Sequence, residues 1–100
     1  MSITSTVSAD RKVVTISVSG RFDFAMHQEF MSAYRDYPGG EVHFVVDLSG
    51  VEHLDSSALG MLLQLREHGH KGREVELVNG NQGVKEILRI ANFEKLFKVA

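Results

Sequence analysis

Alternation of apolar and polar residues predicts a strand near the N-terminus. Over Val13–Ser19, apolar side chains point one way and hydroxyl side chains mostly point the other, as in a strand with one buried face. A weaker alternation over Ile3–Val7 predicts a strand before it, and Asp10-Arg11 lies where a hairpin turn would join them. The chain is therefore predicted to begin with two antiparallel strands.

Three later segments are also typical of strands. Val42–Val46 is nearly continuous in apolar, β-preferring residues, which predicts a central strand covered on both faces. Glu74–Val78 predicts another strand, and Phe97–Val99 predicts a short final one. With the N-terminal pair, these segments give up to five strands.

Three other segments repeat apolar residues at intervals of three and four, the spacing of a helix with one buried face. The first spans Phe22–Tyr37 and ends at Pro38-Gly39-Gly40, and the second spans Ser56–His68 and is closed by Gly69. The third is marked by Val84, Ile87, Leu88 and Ala91.

The predicted element order is β-β-α-β-α-β-α-β. Strands that alternate with helices need crossover connections, which make the sheet largely parallel. We therefore predict one α/β domain over residues 1–100, with a single mixed, mostly parallel sheet of about four to five strands and three or more helices. In such sheets functional groups gather beyond the carboxyl ends of the strands. The connections at that edge are Arg21–Asp23, Leu48–Asp55 and Asn79–Asn81.

Composition narrows the classes of function. The 100 residues are 43% hydrophobic, contain no cysteine and carry a formal charge of −2, so thiolate metal sites and a basic nucleic-acid footprint are excluded. The apolar runs are far shorter than the roughly 20 residues that span a bilayer, and the N-terminus lacks the pattern of a signal peptide. We expect a cytoplasmic domain without membrane insertion.

The segment Asp55-Ser56-Ser57 stands where a loop becomes the second helix. Each of these side chains is able to accept hydrogen bonds from the free amides of a first helical turn, so one interpretation is a helix N-cap and nothing more. A second interpretation is a modification site. A phosphate on a serine here would add about −1.5 to −2 charges, which the helix dipole tolerates and an acidic or tightly packed partner would not.

The second helix has an apolar and a polar face. Ala58, Leu59, Leu62 and Leu65 fall on one side, whereas the other side carries Ser57, Gly60, Gln64 and His68, with Met61 and Leu63 on the flanks. Small polar residues beside a methionine suit close approach by a partner, because methionine packs adaptably. An ordinary solvated face is the alternative.

Other chemistries have little support. The five histidines are scattered, with only His68 and His70 close together, and none is in a metal-binding spacing. The sequence around Ser56 is not the Gly-x-Ser-x-Gly elbow of a hydrolase. Asp23 is interpreted either as a helix N-cap or as part of the acceptor site, and Asn79 and Asn81 as turn and cap residues. We expect no catalytic group, cofactor or metal, hence a protein that is not an enzyme.

The segment from Asp47-Leu48-Ser49 to Leu54-Asp55-Ser56-Ser57-Ala58-Leu59-Gly60 resembles the signature of STAS domains, specifically bacterial anti-sigma-factor antagonists. Gly20-Arg21-Phe22-Asp23 and Ile90–Phe97 resemble two further family segments, so the likeness covers nearly the whole chain. It implies the STAS fold and phosphorylation of Ser56 by a partner, an anti-sigma factor that is also a serine kinase of the ATPase-kinase type. It also implies a PP2C-like phosphatase. The residues predicted to contact the partner lie on the polar side and flank of the second helix or at the same sheet edge: Asp23, Asp55, Ser57, Gly60, Met61 and Gln64.

A different class of function remains open on the same resemblance. Some stand-alone STAS domains resemble accessory subunits of an ABC-type transporter or lipid-trafficking complex, which act without phosphorylation. In those domains the helix more often starts with Asp-Thr-Gly-Gly, so the two serines here favour the switch.

Overall fold

Five strands form one sheet whose spatial order is the order along the chain. The computed structural model describes residues 2–69 and 74–100. The strands are β1 (Ser2–Val7), β2 (Val13–Phe22), β3 (His43–Leu54), β4 (Glu76–Val78) and β5 (Lys98–Val99). β1 is antiparallel to β2, whereas the three remaining neighbouring pairs, β2–β3, β3–β4 and β4–β5, are parallel. The predicted α/β class, element order and mixed sheet are confirmed.

Three α-helices connect the parallel strands: α1 (His27–Tyr34), α2 (Ser56–Gly69) and α3 (Gln82–Ile90). Two 3-10 turns, Phe24–Met26 and Phe93–Lys95, precede α1 and β5. The first helix is shorter than its apolar pattern predicts. Phe22 is the last residue of β2, and the 3-10 turn separates it from α1.

Strand β3 is longer than predicted, because it continues through Leu48–Leu54, a segment expected to be mostly loop. Its pairing with β2 shifts register twice, between Ser17 and Ser19 and between Gly20 and Arg21. At each shift β3 holds one extra residue, which is the arrangement of a β-bulge. The two bulges let a strand of 12 residues run beside one of 10, so that both strands end together.

One hydrophobic core lies between the sheet and the helices. Ile16 and Val46 of the sheet belong to the same buried cluster as Phe30 of α1, Leu62 of α2 and Leu88 of α3. Parallel strands added in one direction by right-handed crossovers place all three helices on one face of the sheet. Only one face of the sheet therefore contributes to the core.

The other face of the sheet lies outside this core. On β2, Thr15 and Ser17 are half-buried, and on β3 the same holds for Val45 and Asp47. The prediction that Val42–Val46 is covered on both faces is thus wrong beyond Phe44, because burial alternates from Phe44 to Leu48. The hydroxyl side chains that alternate with the apolar ones in β2 line this uncovered face.

Glycine allows the close approach of β2 and β3 at the first bulge. A Cβ atom added to Gly50 would lie 2.7 Å from Cβ of Ser19. Gly20, next to Ser19, has a φ angle of 87°, in the left-handed region that favours glycine.

We predict that Gly50→Ala lowers the free energy of unfolding by about 1–3 kcal/mol, because the new methyl group overlaps Ser19. Gly60→Ala is the matched control: its Cβ would meet no atom within 4 Å, and alanine in a helix interior should stabilise by up to about 1 kcal/mol. Urea denaturation of both variants measures the difference. Equal stabilities would contradict this account of the bulge.

Candidate functional site

The carboxyl ends of β2 and β3 bring two aspartates to the same edge of the sheet. The last paired residues are Phe22 and Leu54, and the backbone N–H of Asp55 donates to the carbonyl of Phe22 at 3.4 Å. Asp23 and Asp55 therefore leave neighbouring strands at the same level. This is the edge where the sequence predicts the site.

Asp55 is the N-cap of α2. Its Oδ1 atom accepts the backbone N–H of Ala58 at 3.1 Å and the hydroxyl of Ser57 at 2.6 Å. These hydrogen bonds, Ser57 first, hold the pKa of the Asp55 carboxyl below its ordinary value, and the charge of His53 adds a smaller effect in the same direction. The side chain of Ser57 is thereby engaged in orienting the cap.

Ser56 is the first residue of α2, and its side chain is exposed. Among the described residues its hydroxyl has no hydrogen-bond partner, unlike that of Ser57. The N-terminus of a helix favours negative charge, because its first amides are free and the helix dipole is positive there. Of the three residues, Ser56 is thus the one whose oxygen is available for chemistry.

Asp23 begins the 3-10 turn that follows β2. Its Oδ1 atom accepts the N–H of Ala25 at 3.0 Å, and its Oδ2 atom lies 4.0 Å from Nε of the exposed Arg21. The cap interpretation of Asp23 is confirmed for this 3-10 turn. Because a surface ion pair of that length contributes little, the turn itself fixes the position of the carboxylate.

Next to Ser57, a shallow depression of about 220 Å³ opens between the 3-10 turn and α2. We call it the Phe24 hollow, and its lining residues are Phe24, His27, Ser57, Gly60, Met61 and Gln64. The structure thus brings four of the predicted contact residues into one depression, together with two that the sequence analysis did not single out.

The side chain of Phe24 is the apolar wall of the Phe24 hollow. It is 65% exposed and stacks on the ring of His27, with centroids 4.8 Å apart. The position of Phe24 in the sequence indicates this exposure, because Phe24 lies off the helical stripe that Met26, Phe30 and Tyr34 form. An apolar residue that misses the buried stripe is a candidate for a contact surface.

The faces of α2 agree with the predicted pattern at most positions, but His68, expected on the polar face, is half-buried and packs against the rings of Tyr34 and Phe44. Ala58, Leu62 and Leu65 are buried, and Gly60 and Gln64 are exposed. Met61, expected on the flank, is only 3% exposed and belongs to the core, so it forms the floor of the Phe24 hollow. Its contribution to partner contact stays a prediction.

The asparagines after β4 have structural roles, as the turn and cap interpretation predicts. Asn81 caps α3 by accepting the N–H of Val84 at 2.8 Å, and its amide nitrogen donates to the carbonyl of Val51 at 3.2 Å. Asn79 has a φ angle of 64° and donates to Asp47 at 3.3 Å. Both therefore tie the β4–α3 connection to β3.

The histidines do not converge. Nε2 of His43 lies 3.0 Å from Oε2 of Glu76, and Nε2 of His68 lies 2.7 Å from the carbonyl of Tyr37. His70 lies outside the described residues. Within residues 2–69 and 74–100, no three His, Asp or Glu side chains are grouped to hold a metal ion. In the same part of the chain, no helix is long and apolar enough to cross a bilayer.

A family model described as "Mlab, STAS domain" matches residues 5–98. The chain belongs to the STAS-domain family. A STAS-domain containing protein of Pseudomonas aeruginosa (strain UCBPP-PA14) is 48% identical over 101 residues, which is 100% of each chain. The resemblance inferred from the sequence is therefore confirmed at the level of the family.

Solved structures of anti-sigma factor antagonists have the same fold. The antagonist of Mycobacterium paratuberculosis is 28% identical to this STAS domain, with a TM-score of 0.77, over 98% of this chain and 85% of that one. The Bacillus cell fate determinant SpoIIAA in its phosphorylated form is 17% identical, with a TM-score of 0.67, over 99% and 91%. The second likeness is one of fold alone.

We predict that Asp55→Ala lowers the Tm by roughly 5 °C, because α2 loses its N-cap. Ser56→Ala is the matched control and should leave the Tm within about 2 °C, since its hydroxyl makes no hydrogen bond in the described structure. Differential scanning calorimetry at neutral pH compares the two. A larger loss for Ser56→Ala would mean that Ser56 is the cap.

The cap should also be dependent on pH. The folded-state pKa of Asp55 lies below its unfolded value of about 3.9, so the charged carboxylate stabilises the fold above that pH. This stabilisation is lost as the pH falls through the folded-state pKa. The Tm difference between the wild type and Asp55→Asn should therefore be constant from about pH 5 to 8 and shrink below about pH 4. A difference that widens in acid would contradict the assignment.

Proposed function

We propose that this STAS domain is an anti-sigma-factor antagonist in a bacterial partner-switching pathway. In the cytoplasm, the unphosphorylated domain binds an anti-sigma factor that is also a serine kinase of the ATPase-kinase type. Phosphorylation of Ser56 releases the domain, and a PP2C-like phosphatase restores binding. The kinase and the phosphatase supply the chemistry, and the domain supplies the acceptor hydroxyl and the docking surface.

The observation that carries the proposal is the division of roles within Asp55-Ser56-Ser57. Asp55 caps the helix and Ser57 orients Asp55, which leaves the Ser56 hydroxyl exposed and without a partner among the described residues. Phosphorylation of this hydroxyl therefore breaks no hydrogen bond that stabilises the fold. Phosphorylation is then able to change binding while the domain stays folded.

Charge makes the modification effective. The chain has a formal charge of −2, and a phosphate adds about −1.5 to −2 at the one end of α2 that already carries Asp55. The helix dipole compensates this charge within the domain. A partner that binds over the start of α2 would have to desolvate the phosphate, which is costly unless the partner supplies an opposing cation.

The Phe24 hollow supports docking at this edge. Phe24 is a large apolar side chain left 65% exposed next to the acceptor, and exposed aromatic residues often anchor protein interfaces. Ser57, which follows Ser56 in α2, lines the Phe24 hollow, so a phosphate on Ser56 would be attached one residue from this lining. An anti-sigma factor antagonist of the same fold is 28% identical to this chain, which supports a role in protein binding.

We predict that a kinase from the same genome phosphorylates the domain at Ser56. The protein is incubated with the candidate kinase and ATP, and the product is mapped by mass spectrometry. Ser57→Ala is the matched control and should still be modified, because its neighbour remains exposed. Modification that persists in Ser56→Ala would contradict the proposal.

We predict that Ser56→Asp weakens binding to the anti-sigma partner at least about tenfold, while its Tm stays within a few degrees of the wild type. Ser56→Ala should bind like the unphosphorylated protein. Isothermal titration calorimetry compares the two. Equal binding by both variants would favour the constitutive role of a transporter accessory subunit instead.

We predict that Phe24→Ala weakens partner binding at least about fivefold, because the partner loses the apolar wall of the Phe24 hollow. Ile90→Ala on α3 is the matched control, since Ile90 is 68% exposed and does not line the Phe24 hollow. The same titration measures both variants. An equal loss of binding in the control would place the interface elsewhere.

A further inference from the structure

Arg11 adopts a backbone conformation that its side chain disfavours. Among the described residues, three that are not glycine have a positive φ: Arg11 at 61°, Asn79 at 64° and Asn92 at 61°. Asparagine tolerates this left-handed region, because its short side chain forms local hydrogen bonds, whereas arginine gains nothing there. The shape of the turn therefore does not explain why an arginine occupies this position.

The hairpin turn between β1 and β2 is held by other groups. The N–H of Arg11 donates to the carbonyl of Ser8 at 2.9 Å, and the N–H of Lys12 donates to the Asp10 carboxylate at 3.0 Å. The Ser8 hydroxyl donates to the same carboxylate and accepts the N–H of Val13. The Arg11 side chain takes part in none of these bonds, so glycine would serve this turn at least as well.

The Arg11 side chain instead lines a depression of about 370 Å³ at the amino ends of β2 and β3, which we call the Arg11 hollow. Its apolar part is formed by Val7, Tyr37, Pro38 and Val42, and its charged rim by Arg11, Lys12 and Glu41. The depression is partly open to solvent, and it combines an apolar surface with a few charged groups, as ligand sites do.

The cations of the rim are available to a ligand. Neither Arg11 nor Lys12 is within ion-pair distance of a carboxylate in the described part of the chain. The Asp10 carboxylate next to them is engaged by Ser8 and by the backbone of Lys12, and the positive charge of Lys12 helps to lower its pKa only as a minor cause. In the lining itself, two cations face the one carboxylate of Glu41, while the charged carboxylate of Asp10 lies outside the lining.

We propose that the Arg11 hollow binds a small organic carboxylate with an apolar tail. The tail packs against Val7, Tyr37 and Val42, and the carboxylate accepts hydrogen bonds from Arg11 and Lys12, whose charges complement it. β2 has 10 residues, so the Arg11 hollow and Ser56 lie at opposite ends of a strand roughly 30 Å long. Ligand and anti-sigma partner are therefore able to bind together, and the proposal is independent of the Ser56 switch.

The first test uses octanoate as the probe and octylammonium as its cationic counterpart in NMR titrations of the full chain. Octanoate should give saturable amide shifts at Val7, Arg11, Lys12 and Val42, with none at Ser56. Octylammonium should shift the same amides much less, because the rim repels it. Equal and equally saturable shifts with both probes, or no saturation with octanoate, would overturn the proposal.

The second test distinguishes the effect of Arg11 on ligand binding from its effect on the stability of the turn. Arg11→Gly should raise the Kd for octanoate about threefold to fivefold, as expected for one exposed ion pair, while its Tm stays unchanged or rises. Lys12→Gln should weaken octanoate binding by a similar factor without changing the turn. Glu41→Gln should strengthen it, because the opposing carboxylate is gone. An unchanged Kd in both Arg11→Gly and Lys12→Gln would overturn the assignment.

Discussion

The pairing of β2 with β3 is the constraint on which the functional edge depends. Two strands of unequal length end at the same level only because β3 places one extra residue in each of two bulges. The shared end then fixes where both following segments begin, one with Asp23 and the other with Asp55. If β3 were regular, α2 would start two residues further along the sheet, away from the turn that holds Phe24.

Three adjacent polar residues at the start of α2 carry out three different tasks. The carboxylate of Asp55 stabilises the helix, the hydroxyl of Ser57 keeps that carboxylate oriented, and Ser56 is left exposed. The cap and the exposed hydroxyl therefore belong to different side chains. A modification of Asp55 or Ser57 would disturb the cap, whereas one of Ser56 would leave these hydrogen bonds in place.

Most of the fold is predictable because α1, α2 and α3 have clear helical periods and the two N-terminal strands have regular patterns. The extent of α2 and its buried Leu62 and Leu65 follow from spacing alone. The second half of β3 does not, because each bulge changes the apolar spacing from two to three. Leu48, Val51 and Leu54 are all buried, yet their spacing is unlike that of a regular strand.

The site was predictable in location and only partly in detail. Asp55-Ser56-Ser57 is visible in the sequence, but any of the three side chains is able to cap a helix, and only hydrogen-bond geometry identifies Asp55. Phe24 was not predicted, although it lies off the apolar stripe of the expected helix; in the structure it begins a 3-10 turn that replaces the first turn of that helix. Met61 is buried although its position on the helical wheel is at a flank, because it belongs to the same core cluster as Met26 and Phe30.

The order of strands in space, which equals their order in the chain, has a consequence for biosynthesis. Each strand that leaves the ribosome finds its only earlier neighbour already synthesised, so the sheet is able to grow from β1 towards β5 without waiting for a later segment. Ser56 follows directly after β3, whose pairing with β2 builds the edge on which it stands. In a nascent chain, Ser56 would therefore take its place at this edge once the first three strands have assembled.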